Sequence, residues 1–200
     1  MLEVKDATIS IGGKTLVKGL SLIAKDGQIT CITGSEGSGK TTFLRTLMGF
    51  LPVEAGFVSV DGELLTIDSA HAFRRLMVYL PQEIQTLAHQ LKAPEAPVCE
   101  DDEYGVWNAT LPSAVAEQQP EPLAPEAILQ LAEKTIREAP DKPIVIADEP
   151  AAYLTPELTE RMYDLLRQQK ETGKTVLIAT RKPQLLGRAD LVLNLDTFRQ

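Results

Sequence analysis

The sequence predicts an α/β fold whose core is a mainly parallel sheet, and three observations lead to this prediction. Four short apolar runs rich in β-branched residues are typical of buried strands: ITCIT, IVIAD, TVLIAT and LVLNL. Segments with helical periodicity lie between them along the chain, and a glycine-rich loop follows the first run. Continuous apolar strands that alternate with helices favour a parallel sheet covered by helices on both faces.

The N-terminal part of the chain is dominated by strand patterns. LEVKDATISI and KTLVKGLSLIA predict two strands, and IGGK between them predicts a turn. GFVSVDGELL predicts a strand, a turn and a second strand, and DSAHAFRRL predicts a short helix. LMVYLPQE predicts a strand that ends at a proline.

Three longer helices are predicted from the spacing of their apolar residues. The first follows the glycine-rich loop, the second is PEAILQLAEKTIREA and the third is TPELTERMYDLLRQQ. Thr155 is a natural N-cap for the third helix, and Pro125 and Pro156 suit the first turns of the second and third. The side chains expected to face the core are Phe43, Leu44, Leu47 and Met48 in the first helix, Ile128, Leu131, Ala132, Thr135 and Ile136 in the second, and Leu158, Met162, Leu165 and Leu166 in the third.

The chain length fits a single domain that spans residues 1–200. We expect residues 1–82 and 140–200 to form the core, and residues 83–139 to form a reduced helical or irregular lobe. Between residues 93 and 125 lie six of the thirteen prolines and seven acidic residues, with no lysine or arginine. Such a stretch excludes a continuous helix or a central strand, and one short helix is expected near Asp101–Asn108.

Charge and cysteine content narrow the classes of protein. The formal net charge of -8 argues against a general nucleic-acid binder, which needs a basic face. The two cysteines, Cys31 and Cys99, argue against a disulfide framework and fit a cytosolic compartment. The sequence contains neither a secretory signal pattern nor an apolar stretch of about 18 residues, so we do not expect it to span a membrane by itself.

The segment GSEGSGKT, residues 34–41, follows the phosphate-loop pattern G-x-x-x-x-G-K-[ST], with a predicted strand before it and a helix after it. Its glycines let backbone N–H groups face phosphate oxygens, and the helix N-terminus favours negative charge. Lys40 is expected to reach the β- and γ-phosphates, and the Thr41 hydroxyl to ligate Mg²⁺. The alternative is a glycine turn that contains a lysine by chance. The predicted nucleotide-binding residues are Gly34, Ser35, Glu36, Gly37, Ser38, Gly39, Lys40, Thr41 and Thr42.

Two adjacent acids, Asp148 and Glu149, stand at the end of the apolar run IVIAD. The strand beside a phosphate loop commonly ends in an acid that holds Mg²⁺, and Asp148 is placed for that role. Glu149 is expected to accept a proton from the water that attacks the γ-phosphate. Gln82 leaves another predicted strand and is a candidate to bridge Mg²⁺ and that water. The alternative for the acidic pair is a helix cap or a surface location.

Taken in order, the segments GSEGSGKTT, YLPQ, IVIADEP and TVLIAT resemble the ATP-binding subunit of an ABC transporter, over nearly the whole chain. The resemblance implies the P-loop NTPase fold of ABC ATPases, with an antiparallel N-terminal β subdomain and a shortened helical lobe. It implies ATP and Mg²⁺ as cofactors, and ATP hydrolysis carried by the phosphate loop, Asp148, Glu149 and Gln82.

The same resemblance implies partners for the chain. Members of the family dimerise, and each ATP lies between the phosphate loop of one subunit and the pentapeptide LSGGQ of the other. A membrane-embedded transporter subunit is the further partner, and no nucleic acid is expected. The implied location is peripheral, on the cytoplasmic face of the inner or plasma membrane.

Four positions depart from the family pattern. The pentapeptide position reads LAPEA, Leu123–Ala127, where Pro125 has no N–H group and Glu126 would oppose a phosphate. The excursion before it is also shorter than the usual helical lobe. The other three departures are Arg181 for a family histidine, Thr155 for an aspartate that links the two sites, and Ile11 for an aromatic residue that stacks on adenine.

Several hypotheses remain open at this point. The leading one is an ATPase subunit that is slow alone and gains activity with a second ATP-binding subunit. The alternatives are a nucleotide-gated binding module with little or no hydrolysis, and a soluble, non-transport ABC-type ATPase. Arg181 either reaches the γ-phosphate through its guanidinium or is a surface residue at a strand end. Asp101–Trp107, DDEYGVW, either contacts a partner or forms a solvated loop.

Overall fold

A computed structural model describes residues 1–84 and 123–199 of the chain. The strands are β1 (Leu2–Ile11), β2 (Lys14–Ala24), β3 (Ile29–Thr33), β4 (Ala55–Val60), β5 (Glu63–Leu64), β6 (Met77–Leu80), β7 (Ile144–Asp148), β8 (Thr175–Ala179) and β9 (Leu191–Asn194). The helices are α1 (Lys40–Leu47), α2 (Ala70–Arg75), α3 (Pro125–Arg137), α4 (Pro156–Glu171) and α5 (Pro183–Leu186), and a 3₁₀ turn, Leu195–Phe198, follows β9.

The described strands form two sheets, and the predicted fold class is confirmed. One sheet is antiparallel with the order β2-β1-β4-β5, and it pairs β1 with β2 as the predicted hairpin. The other is parallel with the order β6-β7-β8-β3-β9. The short helix expected near Asp101–Asn108 and the segment Asp101–Trp107 lie outside the described residues.

The parallel sheet brings several chain segments to one edge. Ile32 of β3 pairs with Ala179 of β8, and Ala179 also pairs with Asp148 at the end of β7. Because parallel strands end at the same edge, the phosphate loop after β3, the acids after β7 and the chain after β8 emerge together. The last strand, β9, pairs with β3 so that Asn194 lies opposite Thr33.

The order of these strands corrects one expectation. The acid of IVIAD was expected on the strand beside the phosphate loop, but β8 lies between β7 and β3. Asp148 reaches the loop region because α1, which starts at the loop, crosses over β7 and β8. Register, and not strand adjacency, therefore brings Asp148 towards the first turn of α1.

Most, but not all, of the helix side chains that were predicted to face the core are buried. All four core residues expected in α1 are buried. In α3 Leu129 is fully buried while Leu131 and Thr135 are only partly so, because this helix packs against both α4 and β6. In α4 Tyr163 takes the buried position that was expected for Leu165, and its hydroxyl donates to the Arg188 carbonyl at 3.1 Å. The division between core and lobe within residues 83–139 stays a prediction.

Cys31 is buried in the middle of β3, as its apolar run predicted. Burial raises the pKa of this thiol to about 12. The thiol is therefore a packing residue of the sheet and not a reactive group.

Candidate nucleotide site

Lys40 makes hydrogen bonds across the loop between β3 and α1. The Lys40 ammonium folds back and donates hydrogen bonds to the carbonyl oxygens of Gly34 at 3.1 Å and Ser35 at 3.3 Å. Lys40 is buried although it is charged. Because a buried ammonium is costly unless it is hydrogen-bonded or paired, these carbonyls hold it in place over the loop.

The N-terminus of α1 presents unpaired backbone donors. Its N-cap, Gly39, has φ of +94°, and a Cβ there would lie 3.2 Å from Leu16, so this position requires glycine. No side chain in the described part of the chain caps this helix end, and its first turn holds no acidic residue. Among the described residues, no hydrogen bond uses the N–H groups of Gly37, Gly39 or Lys40. Such donors favour an anion such as a phosphate.

Asp148 ends β7 and is buried, with 1% of its surface exposed. Within residues 1–84 and 123–199, neither of its carboxylate oxygens has a hydrogen bond of good geometry. Burial raises the pKa of Asp148 above its ordinary value, and the nearby Thr41 hydroxyl opposes this in part. A buried carboxylate without a partner is costly, so this position fits a cation.

The donor set around Asp148 matches Mg²⁺. No group of three or more His, Cys, Asp or Glu side chains in the described part of the chain could enclose a metal ion. Mg²⁺ is usually held by one or two carboxylates together with phosphate oxygens and water. One buried carboxylate beside the Thr41 hydroxyl is a set of that kind.

Glu149 has a strained backbone that turns its side chain towards the loop. Its φ is +45°, in the left-handed region that glutamate rarely adopts, while its N–H donates to the Ala179 carbonyl at 2.8 Å. Its Oε1 lies 3.9 Å from Lys40 Nζ and 3.5 Å from Arg181 Nε. Strain of this kind costs about 1–3 kcal/mol and is concentrated at functional sites.

An open cavity of about 370 Å³ collects most of the predicted site residues. Gln82, Glu149 and Arg181 line it, and Asp148 does not. Gln82 is exposed, and Ile11, at the position expected to face adenine, is half exposed. The other lining residues are Leu16, Glu36, Gly37, Ser38, Gly39, Lys40, Thr41 and Thr42.

Arg181 follows the end of β8 and rests between two carboxylates. Its Nε lies 3.5 Å from Glu149, and its terminal nitrogen lies 3.5 Å from Glu36 in the phosphate loop. More than half of the Arg181 side chain is exposed, and Glu36 is almost fully exposed. The exposed pair with Glu36 contributes little to stability, so a phosphate could compete for that end of the guanidinium. The Glu149 side chain in the other pair is only 12% exposed.

The pentapeptide position has a different helix start. Ala124 is the N-cap of α3 without a side-chain hydrogen bond, Pro125 occupies the first turn, and Glu126 follows it. The N–H groups of Ala127 and Ile128 both donate to the Ala124 carbonyl, at 2.9 and 3.2 Å. These backbone donors are used within the helix start.

Thr155 and Asp196 make contacts at the start of α4 and next to the phosphate loop. Thr155 caps α4 as predicted, with its side chain accepting from the Leu158 N–H at 3.3 Å. Asp196, in the turn after β9, was missed by the sequence, although it accepts hydrogen bonds from the Ser35 N–H and hydroxyl, each at 2.8 Å. The two residues are 161 positions apart, and no local pattern in the sequence marks their contact.

A larger groove of about 730 Å³ lies away from this chemistry, on the surface between α3 and α4. It is lined by charged side chains of both signs, including Glu133, Arg161 and Asp164, and by none of the predicted site residues. Size alone therefore does not identify the site, and the phosphate loop is the better candidate because it combines open N–H donors with an unpaired carboxylate.

Comparison with known proteins decides the family. The family described as ABC transporter matches residues 17–152. The chain belongs to the ABC transporter family. The match includes the phosphate loop, both acids and the altered pentapeptide position. The chain is therefore an ATP-binding subunit of the ABC type, with the ATPase activity of that family.

Two relatives place it among transporter subunits. The thiamine import ATP-binding protein ThiQ of Brucella abortus is 31% identical over 176 residues, which cover 79% of this chain and 69% of that protein. The linearmycin resistance ATP-binding protein LnrL of Bacillus subtilis is 26% identical over 199 residues, which cover 88% of this chain and 60% of that protein. Their names describe ATP-binding proteins of thiamine import and of linearmycin resistance.

Solved structures share the fold of this ABC subunit. The dimeric post-hydrolysis state of the ATP-binding cassette MJ0796, bound to ADP and Pi, has a TM-score of 0.68 at 21% identity and covers 97% of this chain and 94% of its own. A nucleotide-free ATP-binding cassette from an ABC transporter has a TM-score of 0.69 at 18% identity, covering 98% and 88%. No helix within the described ranges has the length and hydropathy needed to cross a membrane.

Proposed function

We propose that this ABC subunit binds ATP with Mg²⁺ in its own phosphate loop, hydrolyses it slowly alone and hydrolyses it faster with a second ATP-binding subunit. One observation carries the proposal: the buried carboxylate of Asp148 has no hydrogen bond of good geometry among the described residues and lies beside the Thr41 hydroxyl. Glu149, the next residue, turns its carboxylate into the same region, near Lys40. An unpaired acid, a hydroxyl and an ammonium are the groups that ATP hydrolysis in a phosphate loop requires.

The loop residues 34–42 and two further positions would hold the nucleotide and its cation. The unpaired N–H groups at the start of α1 would bind phosphate oxygens, together with the Lys40 ammonium. Thr41, Asp148 and Gln82 would ligate Mg²⁺. Bound Mg²⁺ supplies neutralisation of the phosphate charge.

Glu149 would act as the general base in hydrolysis. The Glu149 carboxylate lines the cavity and is close to Lys40. A water held between this carboxylate and the γ-phosphate would be within reach of the carboxylate and of the phosphorus atom. Gln82 lines the same cavity and would help to orient that water. Arg181 would turn from the exposed Glu36 carboxylate to the γ-phosphate, because its planar guanidinium can donate two parallel hydrogen bonds to phosphate oxygens.

The Arg181 role has its own test. We expect Arg181→Ala to lower hydrolysis at saturating ATP, and Arg181→Lys to restore only part of it, because lysine lacks the planar fork. The measurement is steady-state phosphate release. Unchanged hydrolysis in Arg181→Ala, with loss in Glu149→Gln, would leave Arg181 as a surface residue.

The requirement for a partner follows from the pentapeptide position. Pro125 has no N–H group, Glu126 places a carboxylate in the first turn of α3, and the next two N–H groups are used internally. This helix start would therefore not hold the phosphate of a facing subunit. A homodimer would have two incomplete sites, whereas a heterodimer with an intact relative would have one complete composite site.

Within this proposal the complex also contains a membrane-embedded transporter subunit. The support is the membership of the ABC transporter family and the import and resistance functions in the names of its relatives. The chain would then lie peripherally on the cytoplasmic face of the inner or plasma membrane.

The experiment compares the purified chain with the complex that co-purifies from the native membrane. We expect phosphate release by the isolated chain to be slow and to rise severalfold or more in the complex. Lys40→Ala serves as the binding-deficient control and Glu149→Gln as the hydrolysis-deficient control in both preparations. A full rate in the isolated chain, or no increase in the complex, would contradict the proposal.

A nucleotide-gated module is the second candidate, and one observation favours it. The Glu149 carboxylate already lies 3.9 Å from Lys40 Nζ and 3.5 Å from Arg181 Nε, so these contacts occupy the oxygen that an attacking water would need. In that case ATP binding would order the partner surface and hydrolysis would be incidental. If Lys40→Ala abolishes cellular function and Glu149→Gln preserves it, the gating function is correct.

A further inference from the structure

The turn after β9 makes a contact with the phosphate loop that none of the motifs predicts. Asp196 Oδ2 accepts a hydrogen bond from the Ser35 N–H at 2.8 Å, and Asp196 Oδ1 accepts one from the Ser35 hydroxyl at 2.8 Å. A single carboxylate therefore takes up both hydrogen-bond donors of one loop residue. A two-point contact to a charged acceptor is the strong form of hydrogen bond, and it fixes orientation as well as distance.

The position of Asp196 is itself fixed by the fold. Asn194 of β9 pairs with Thr33 of β3, so the chain leaves both strands at the same level of the sheet. Leu195 is fully buried and anchors the turn in the core. The Asp196 N–H donates to the Asn194 side chain at 3.0 Å, which caps the turn. The strand pairing, the buried Leu195 and the Asn194 cap thus hold the carboxylate next to the loop.

Ser35 transmits this contact to the phosphate-binding lysine. Its carbonyl oxygen accepts hydrogen bonds from Lys40 Nζ at 3.3 Å and from the Ser38 N–H at 3.1 Å. Both donors and the acceptor of Ser35 are therefore occupied, the donors by Asp196 and the acceptor by the loop itself. The start of the loop is connected on one side to the sheet and on the other side to Lys40.

The contact also removes one donor from the set that can face a ligand. The Ser35 N–H is bound to Asp196, whereas the N–H groups of Gly37, Gly39 and Lys40 are unpaired among residues 1–84 and 123–199. The hydrogen bonds from Ser35 lower the pKa of Asp196, so the acid is charged at neutral pH. Asp196 is exposed and does not line the cavity around the loop.

We infer that Asp196 is a positioning residue that holds the phosphate loop in its binding conformation through Ser35 and thereby sets the affinity for ATP. The inference rests on the proposed function, because it takes residues 34–42 as the ATP site. Asp196 does not itself contact the nucleotide. Its effect is preorganisation, since a loop that is already ordered loses less conformational entropy on binding.

Preorganisation predicts a change in binding with little change in chemistry. In Asp196→Ala we expect the Kd for ATP, measured by calorimetric titration, to rise about 3- to 10-fold, with KM rising similarly and kcat changing less than twofold. Asp196→Asn keeps one acceptor oxygen and loses the charge, so its effect should be intermediate. If removal of negative charge were the main effect, both variants would bind the anionic ATP more tightly, and the inference would be wrong.

A double-mutant cycle tests the route through Ser35. Ser35→Ala removes the hydroxyl donor, so Asp196→Ala should weaken ATP binding by a smaller factor in that background than in the original chain. Equal factors in the two backgrounds would show that Asp196 acts by another route. Amide hydrogen exchange gives an independent measure, and exchange of residues 35–40 should accelerate in Asp196→Ala.

Thr197→Ala is the matched control in the same turn. The Thr197 hydroxyl donates to the Asn194 carbonyl at 2.7 Å, so its loss disturbs the turn without removing the contact to Ser35. We expect a similar shift in melting temperature to that of Asp196→Ala but an unchanged Kd for ATP. A Kd that rises equally in both variants would overturn the inference, because it would reflect the turn alone.

Lys40→Ala separates failure of the inference from failure of the proposed function. If Lys40→Ala loses ATP binding while Asp196→Ala binds as the original chain does, only the positioning role is wrong. If Lys40→Ala binds ATP unchanged, the assignment of residues 34–42 as the nucleotide site is wrong, and the inference falls with it.

Discussion

The starts of α1 and α3 differ in how well their backbone N–H groups suit an anion. The start of α1 has a left-handed glycine cap, no acidic residue and N–H groups that no described residue takes up. The start of α3 has a proline without an N–H group, a glutamate in the first turn and two N–H groups bonded to Ala124. Every helix start has a positive dipole end, but at α3 the missing N–H of Pro125 and the charge of Glu126 make that end less favourable for an anion.

The two helix starts also differ in what they need in order to be stable. An open helix start is unfavourable until a ligand supplies the missing partners, whereas a start closed by Pro125 and Glu126 is stable by itself. The chain keeps the unfavourable arrangement at the phosphate loop and has the stable one at the pentapeptide position. We therefore expect the α1 side to bind and hydrolyse ATP with the help of a partner's pentapeptide, and the α3 side to contribute little to the ATP site of a facing subunit.

The largest expected effect comes from removing the base on the α1 side. Glu149→Gln should lower ATP hydrolysis in the partner-containing complex by about 10²- to 10⁴-fold, the range for loss of a general base. Glutamine keeps the shape, so ATP binding should remain within a factor of about three. Steady-state phosphate release and calorimetric titration measure the two quantities. Equal losses of binding and hydrolysis would mean that Glu149 is a ligand and not a base.

Replacing Asp148 should lower ATP hydrolysis by a smaller factor, and it should raise the stability of the metal-free protein. In Asp148→Asn, Mg²⁺-dependent hydrolysis should fall by roughly 10²-fold, since the cation loses a charged ligand. The metal-free protein should gain stability, on the order of 1 kcal/mol, because burial disfavours the Asp148 charge more than the nearby Thr41 hydroxyl, Lys40 and Arg45 favour it. Thermal melting without nucleotide or metal measures this gain.

The pH dependence gives the sign of the Asp148 effect. Burial raises the pKa of this acid, so the folded chain binds its proton more tightly than the unfolded chain does. Stability of the metal-free protein should therefore fall as pH rises from the unfolded value of about 3.9 to the raised folded value, and the loss persists at neutral pH. Asp148→Asn should remove this decline. An unchanged pH profile would show that the acid is already compensated.

Much of this site could be predicted from the sequence because its residue types report local chemistry. The glycines and lysine of the loop specify a turn and a charge, and Asp148 and Glu149 stand at the end of an apolar strand. The missing parts depend on tertiary structure. These parts are the left-handed backbone of Glu149, the position of β8 between β7 and β3, and the contact of Asp196 with Ser35. Each depends on segments that are far apart in the chain.

Rebuilding the pentapeptide tests the comparison from the α3 side. Replacing residues 124–127 with Ser, Gly, Gly and Gln, while keeping Leu123, would give the family sequence LSGGQ. Hydrolysis by the isolated chain should then rise roughly tenfold, below the 10²- to 10³-fold that one ideal donor supplies, since the rest of the dimer contact is also altered. Phosphate release as a function of protein concentration measures the gain and shows whether dimerisation is required.

The matched control for that variant changes only the helix start. Pro125→Ala with Glu126→Gln removes the proline and the charge without adding glycines. We expect this pair to leave hydrolysis low and to lower helix stability by roughly 1 kcal/mol. An activity gain in the control as large as that of the rebuilt pentapeptide would mean that Pro125 and Glu126 together block the site, and that the added serine and glycines contribute nothing further.

The smallest effect is expected at Thr155, which closes the start of α4 and stands where the family has an aspartate. Thr155→Ala removes the hydrogen bond to the Leu158 N–H and should lower stability by about 1 kcal/mol, measured by urea unfolding, with no change in ATP affinity. Thr155→Asp keeps a good cap and supplies the acid, so it should retain stability. If hydrolysis by the rebuilt pentapeptide variant rises further with Thr155→Asp but not with Thr155→Asn, communication between the sites needs the charge. If Thr155→Asp and Thr155→Asn raise hydrolysis equally, only the helix cap matters. The start of α4, like that of α3, would then contribute to stability and not to communication between the sites.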